Sequence, residues 1–140
     1  MAVIRTHKLL LIATWLLAGG ALAVTLLAAA THYPEPDNLS AYDASAEAGA
    51  YLAKAGNCVT CHTTENGAPY AGGLEFVTPF GTLYSTNITS DHDTGIGGWN
   101  FNEFYKSMKH GVRPDGSHLY PAFPYTDFAR MSDDDIASLY

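Results

Sequence analysis

Two cysteines three positions apart, followed at once by a histidine, constrain this chain more than any other feature: Cys58-Val59-Thr60-Cys61-His62. On one helical turn both thiols point the same way, so both can add to the two vinyl groups along one edge of a porphyrin. The next residue, His62, then faces the iron. The Cys-x-x-Cys-His string is the signature of covalent haem attachment, and imidazole is a usual proximal iron ligand. Two other chemistries use such cysteines. A zinc site needs four ligands, usually from two clusters, and the chain has only these two cysteines. A thiol redox pair sits in a βαβ pattern, whereas an Ala-rich segment precedes Cys58 and a Gly-rich one follows His62. The expectation is one covalently attached haem c, with Cys58 and Cys61 as attachment points and His62 as proximal iron ligand.

The totals agree with a cofactor-centred domain. The chain has 140 residues, enough for one domain and an anchor. Its 47% hydrophobic content is concentrated at the N-terminus. Setting the first 30 residues aside leaves about 110 polar, Gly-rich and Tyr-rich residues, few for a self-sufficient core. A large flat cofactor supplies the missing apolar centre. Fourteen acidic residues against seven basic ones give a formal charge of -7. No Lys/Arg cluster lies beyond the N-terminus, which argues against a nucleic-acid partner. The acidity serves solubility or an acidic docking face for an electron-transfer partner.

Arg5, His7 and Lys8 precede an uncharged run from Leu9 to Ala30. A helix of that length crosses about 30 Å of hydrocarbon. It exceeds the roughly 7 to 15 apolar residues of a secretory signal, although Ala28-Ala29-Ala30 offers small residues to a signal peptidase. Residues 1–30 are therefore read as an uncleaved signal-anchor, a transmembrane helix. Arg5 and Lys8 remain cytoplasmic under the positive-inside rule, and everything after residue 30 is exported. Residues 31–43, with Pro34 and Pro36, form a polar linker. The haem domain spans 44–140.

Within it, a helix is expected from about Ala44 to Ala55, capped by Asp43 or Ser45 and ended by Gly56. Ala48, Tyr51, Leu52 and Ala55 form its apolar stripe. Thr63 to Gly98 reads as one long irregular loop wrapping the cofactor. The ring N–H of His62 needs an acceptor, taken as the backbone carbonyl of Pro69 or Pro79. Asn87-Ile88-Thr89 matches a glycosylation pattern, but nothing else points to glycosylation, and its polar groups serve equally to meet haem propionates. A second helix covers about Phe101 to His110, with Asn100 and Glu103 as capping box and Gly111 as stop. Its face Phe101, Phe104, Tyr105 and Met108 has helical spacing, as plain core packing also would. Val112 to Met131 is a loop with an Asp115-Gly116 turn. Ser132 caps a last helix whose first turn holds Asp133, Asp134 and Asp135. Its stripe is cut short at Tyr140, the expectation being a domain truncated within its closing helix.

From about Ala44 to Tyr140 the chain resembles the haem domains of membrane-bound cytochrome c subunits of bacterial alcohol, gluconate and nicotinate dehydrogenases. The strings that carry the resemblance are Ala55 to His62, Thr78-Pro79-Phe80-Gly81-Thr82, Asn87-Ile88-Thr89, Thr94 to Trp99, Leu119 to Tyr125 and the opening of the last helix. The resemblance implies a class I cytochrome c fold, mostly α with long loops. It implies electron transfer from a dehydrogenase catalytic subunit of molybdenum, flavin or quinoprotein type toward quinone or a terminal oxidase of the respiratory chain. Relatives usually hold three such domains in tandem. Many carry Met within the Pro-Ala-x-Pro-Tyr string as distal iron ligand, and here that position is Phe123. Met108, on the helix that covers the distal side in class I cytochromes, is the expected replacement, with Met131, His118 and His110 the other donors in reach. The competing readings are a haem sensor or peroxidase-like protein with an open distal iron, and a structural haem within a larger oxidase.

Overall fold

The computed structural model describes residues 38–140, together with Trp15, Gly20, Ala21 and Pro36. Contacts divide the chain into two units, Met1–Pro34 and Glu35–Tyr140. Apart from Trp15, Gly20 and Ala21 the expected membrane helix lies outside the described residues, as do residues 31–35 and 37 of the linker; among the described residues no helix is long and apolar enough to cross a membrane. The described end of the linker carries a short 3-10 turn, Leu39–Ala41, with the Asn38 side chain accepting from Ser40 N at 3.0 Å.

The rest is mostly helical with one small sheet. In chain order come α1 (Ala46–Ala55), α2 (Cys58–His62), β1 (Glu75–Thr78), β2 (Gly81–Tyr84), α3 (Phe101–His110), α4 (Tyr125–Phe128) and α5 (Asp133–Leu139). The starts and stops follow local chemistry. Ser45, not Asp43, caps α1, its hydroxyl accepting from Ala48 N at 3.0 Å. The Asn100–Glu103 capping box closes in both directions, at 3.0 and 2.8 Å. Gly111 ends α3 at φ 65°, a left-handed conformation that glycine adopts without cost from a Cβ. Ser132 accepts from Asp135 N at 3.1 Å and opens α5.

α1 packs chiefly against α5, and α3 closes the group from the other side. The predicted stripe of α1 is not its buried face. Tyr51 is 70% exposed, and Ala48 and Ala55 are exposed as well. Gly49 is the buried residue of the helix. A Cβ built on Gly49 would lie 1.9 Å from the Ser138 carbonyl oxygen, so the helices cross backbone to backbone, at a distance only glycine permits. Apolar periodicity weights Tyr51 above Gly49; a close crossing needs the reverse.

The α3 face is buried as its spacing predicts. Phe101 and Met108 join Ile136 and Ala137 in the core, with Phe104, Tyr105, Phe123, Phe128 and Met131 packed against it. Lys109 pins the loop that follows: its Nζ donates to the Met131 carbonyl at 2.5 Å and pairs with Asp133 at 2.9 Å, while the Tyr105 hydroxyl donates to the same carboxylate at 3.1 Å.

The segment from Thr63 to Gly98 is not wholly irregular. β1 and β2 pair as an antiparallel hairpin with Phe76 opposite Leu83 and Val77 opposite Thr82. Pro79 at the tip makes no ladder bond, which is why a strand reading tolerates it there. Phe76 and Leu83 face the cleft described next, while Val77 and Phe80 are turned to solvent.

Candidate cofactor site

The helices and loops enclose a cleft of about 1140 Å³, at or above the upper end of the usual ligand-pocket range of about 300–1,000 Å³. Its floor is built by local geometry at the end of α1. Gly56 closes that helix, Asn57 adopts a left-handed φ of 57°, and α2 starts in a new direction. Cys58, Cys61 and His62 all line the cleft. Cys58 and Cys61 are free thiols, the first half-buried and the second exposed. Burial, helped by Cys61 and opposed by a backbone hydrogen bond, pushes the Cys58 thiol up.

His62 is oriented by a bond from outside its own helix. Its Nδ1 lies 2.7 Å from the Thr86 carbonyl oxygen. A carbonyl only accepts, so Nδ1 carries a proton, and in the neutral ring Nε2 is left with its lone pair. The acceptor is thus Thr86, in place of the Pro69 or Pro79 carbonyl expected from the sequence; it comes from a residue 24 positions away that no local pattern connects with His62. Gly72 makes the approach possible. It donates its N–H to the His62 carbonyl at 2.7 Å, at φ 73°, and a Cβ there would meet the Thr86 carbonyl carbon at 2.4 Å. Tyr70, in the left-handed region at φ 64°, donates its N–H to Thr63 Oγ1 at 2.9 Å, accepts from Ile88 N at 3.0 Å and lines the cleft.

Of the four candidate distal donors, Met108 alone lines the cleft; it is 8% exposed and also belongs to the core. Met131 packs against that core with its carbonyl engaged by Lys109. His118 is exposed in an antiparallel bridge with Val112. His110 packs edge-on to Tyr105, 6.4 Å between centroids. Phe123 lines the cleft, stacked on Phe128 at 5.3 Å. The Asn87 side chain is engaged by its own loop, accepting from Thr89 N and Oγ1 and donating to Thr94 Oγ1 at 2.9 Å.

The residues fit a haem. The core is thin, and the apolar side chains that would complete it face the cleft instead. Among the described residues no three His, Cys, Asp or Glu side chains cluster as a metal-binding set. Sequence reasoning missed Thr86 and Gly72, which orient the histidine, and the small-residue wall of Ala46, Ala50 and Ala53 on α1. Strict spacing of Ala and Gly along α1 was the available signal for the last of these.

The comparisons with known proteins agree. The family model described as cytochrome c matches residues 46–140. The chain is 52% identical over 100 residues to the gluconate 2-dehydrogenase cytochrome c subunit of Pantoea cypripedii, covering 71% of this chain and 23% of that one. It is 50% identical over 125 residues to the alcohol dehydrogenase (quinone), cytochrome c subunit, of Gluconacetobacter polyoxogenes, covering 89% and 24%. Against a nicotinate dehydrogenase subunit of Pseudomonas putida it is 55% identical over 94 residues, 67% of this chain and 8% of the relative. It spans about a quarter of the length of the first two. A match from α1 to Tyr140, on a cleft that gathers both cysteines and the following histidine, places the chain in the cytochrome c family, whose members bind haem c covalently.

Proposed function

We propose that the chain is a one-electron carrier, holding one haem c on residues 44–140 through Cys58 and Cys61, with His62 as proximal and Met108 as distal iron ligand. It receives electrons from the catalytic subunit of a dehydrogenase of molybdenum, flavin or quinoprotein type and passes them to quinone or a terminal oxidase; it is the electron-transfer subunit and not the catalytic one. The relatives named as cytochrome c subunits of gluconate and alcohol dehydrogenases support this assignment. Residues 1–30 anchor the chain in the bacterial inner membrane, residues 31–43 act as tether, and the haem domain faces the periplasm. The support is the uncharged run Leu9 to Ala30 behind Arg5 and Lys8.

The observation that carries the reading is the meeting of Cys58, Cys61, His62 and Met108 on one cleft. Bound haem supplies an iron that alternates between Fe(II) and Fe(III). The chain's residues do the rest. Cys58 and Cys61 fix the cofactor, Thr86 holds the His62 ring with Nε2 free, and Met108 offers a thioether, a ligand that raises the potential relative to a second histidine. Phe123 and Phe128 exclude water from that wall. The sensor or peroxidase-like alternative stands on Phe123 alone and is not favoured by relatives named as dehydrogenase subunits.

Denaturing mass spectrometry of the chain expressed with c-type maturation machinery tests the assignment. One haem per wild-type chain, lost in a Cys58→Ala/Cys61→Ala double variant, is expected. A wild-type chain of bare polypeptide mass sinks the proposal.

A further inference from the structure

The hairpin turns one face to the cleft and the other to water, and the second face is apolar where its exposure is greatest. Phe80 at the tip is 93% exposed and Val77 on β1 80%, with Tyr84 exposed at the end of β2. Single exposed apolar residues are ordinary, but a cluster marks a contact surface. This cluster sits on a firmly built turn. The Thr78 hydroxyl donates to the Gly81 carbonyl at 2.7 Å and accepts from Phe80 N at 3.2 Å. Gly81 reverses the chain at φ 129°, and Pro79 brings no N–H at all. The tip's donors are thus spent within the tip, so it leaves water at little cost in unpaired backbone groups. Charge is absent as well. From Asn66 to Ser90 the only charged residue is Glu75, in a chain of formal charge -7.

We infer that the hairpin tip is a membrane-contact element, Phe80 and Val77 entering the boundary between headgroups and acyl chains of the bilayer that holds the anchor. The inference rests on the reading of residues 1–30 as an anchor and adds a second, separate contact with lipid. Three observations favour lipid as the occupant. A protein strand added to the hairpin would pair with free backbone groups, which the tip has already used, whereas lipid asks for none. An acidic domain approaches anionic headgroups best through an uncharged surface. The tether at 31–43 reaches at most about 45 Å even when fully extended, so the bilayer is always at high local concentration and a weak insertion suffices. The depth that satisfies such a tip is about 5–10 Å, with the amphipathic ring of Tyr84 suited to headgroup level. Because Phe76 and Leu83 on the same hairpin line the cleft, contact at the tip orients the cleft relative to the membrane.

The test is photo-crosslinking of the matured full chain in palmitoyl-oleoyl phosphatidylcholine vesicles, with no other protein present. A benzophenone amino acid is placed in turn at Phe80, Val77, His92 or Lys54, all exposed positions whose replacement leaves the core alone. After irradiation, mass spectrometry counts chains carrying one added lipid. Lipid adducts at Phe80 and Val77 are expected about tenfold above those at His92 and Lys54, as partition of an apolar tip into the interface requires. Phe80→Asp is expected to bring the yield of the probe at Val77 down to that at His92, which shows that the side chain of Phe80, and not the probe, inserts. Chains that float with the vesicles but give no more lipid adduct at Phe80 than at His92 overturn the hairpin contact alone and leave the tip to a protein partner. Chain-to-chain adducts at Phe80 in place of lipid adducts overturn it in favour of a second copy. Chains that do not float with the vesicles overturn the anchor reading and the inference with it.

Discussion

The domain has two sides built on different physics. On one, α1, α3 and α5 meet through Gly49, Phe101, Met108, Ile136 and Ala137, and Ile136 is fully buried. On the other, the hairpin and the loops at 85–98 and 112–131 are held by turns, by side-chain-to-backbone bonds such as Asp91 to Thr94 at 2.7 Å, and by glycines at left-handed φ. The helical side buries part of its apolar surface between its own helices and lends the rest to the cleft. The loop side turns Phe76, Leu83, Ile88 and Ile96 toward the cleft and relies on an occupant to cover them. A protein that wraps a flat cofactor can thus divide its labour: one side folds on its own contacts, and the other fixes ligands and walls in positions that the cofactor completes.

The sharpest way to break the helical side is Gly49→Ala. With the new Cβ set 1.9 Å from the Ser138 carbonyl oxygen, α1 and α5 must separate, and a loss of about 3 kcal/mol is expected in denaturant unfolding. An unchanged midpoint would show that the crossing is looser than described. On the loop side the corresponding change is Gly72→Ala. The φ of 73° and the Thr86 carbonyl in its path predict a loss of about 2 kcal/mol. Its particular mark is at the site: displacement of Thr86 disturbs the His62 ring, and in a Met108→Ala background, where the reduced iron would be five-coordinate, the iron–histidine stretching band in resonance Raman spectra should shift. Gly49→Ala should leave that band in place, which separates the two sides experimentally.

Smaller effects sharpen the comparison. Asn100→Ala removes one arm of the capping box and should cost about 1 kcal/mol of stability with the spectrum unaltered. Asp133 on α5 pairs with Lys109 of α3, whose Nζ also donates to the Met131 carbonyl of the loop side. The Lys109 hydrogen bond, followed by that of Tyr105 and opposed by burial, holds its carboxyl below the usual carboxylate range. A depressed folded pKa contributes stability above the unfolded value of about 3.9 that is lost as pH falls through the folded one. Asp133 is 45% exposed, so the contribution is about 0.5 kcal/mol after screening. Asp133→Asn should flatten acid unfolding below about pH 4, and circular dichroism against pH checks it.

What was legible in the sequence follows the same division. The caps at Ser45, Asn100 and Ser132, the stop at Gly111 and the Phe101–Met108 face were readable because each depends on residues within one or two turns. Cys58, Cys61 and His62 were readable as a motif for a similar reason, their chemistry being written in consecutive residues. The buried face of α1 was misread because hydropathy favours Tyr51 and Leu52, whereas the crossing selects the absence of a side chain at Gly49. The hairpin was missed because its four-residue strands flank a proline and alternate only briefly. The Thr86 acceptor depends on contacts between distant segments, which no local spacing encodes.

The most direct test of the central claim is the absorption spectrum of the matured chain taken oxidised, reduced, and reduced under carbon monoxide, for wild type and Met108→Ala. A covalent six-coordinate haem that ignores carbon monoxide in the wild type, and accepts it in Met108→Ala, is the result predicted for an electron carrier with Met108 on the iron. A wild-type spectrum that shifts readily under carbon monoxide would contradict it, leaving an open iron and the ligand-binding reading in its place.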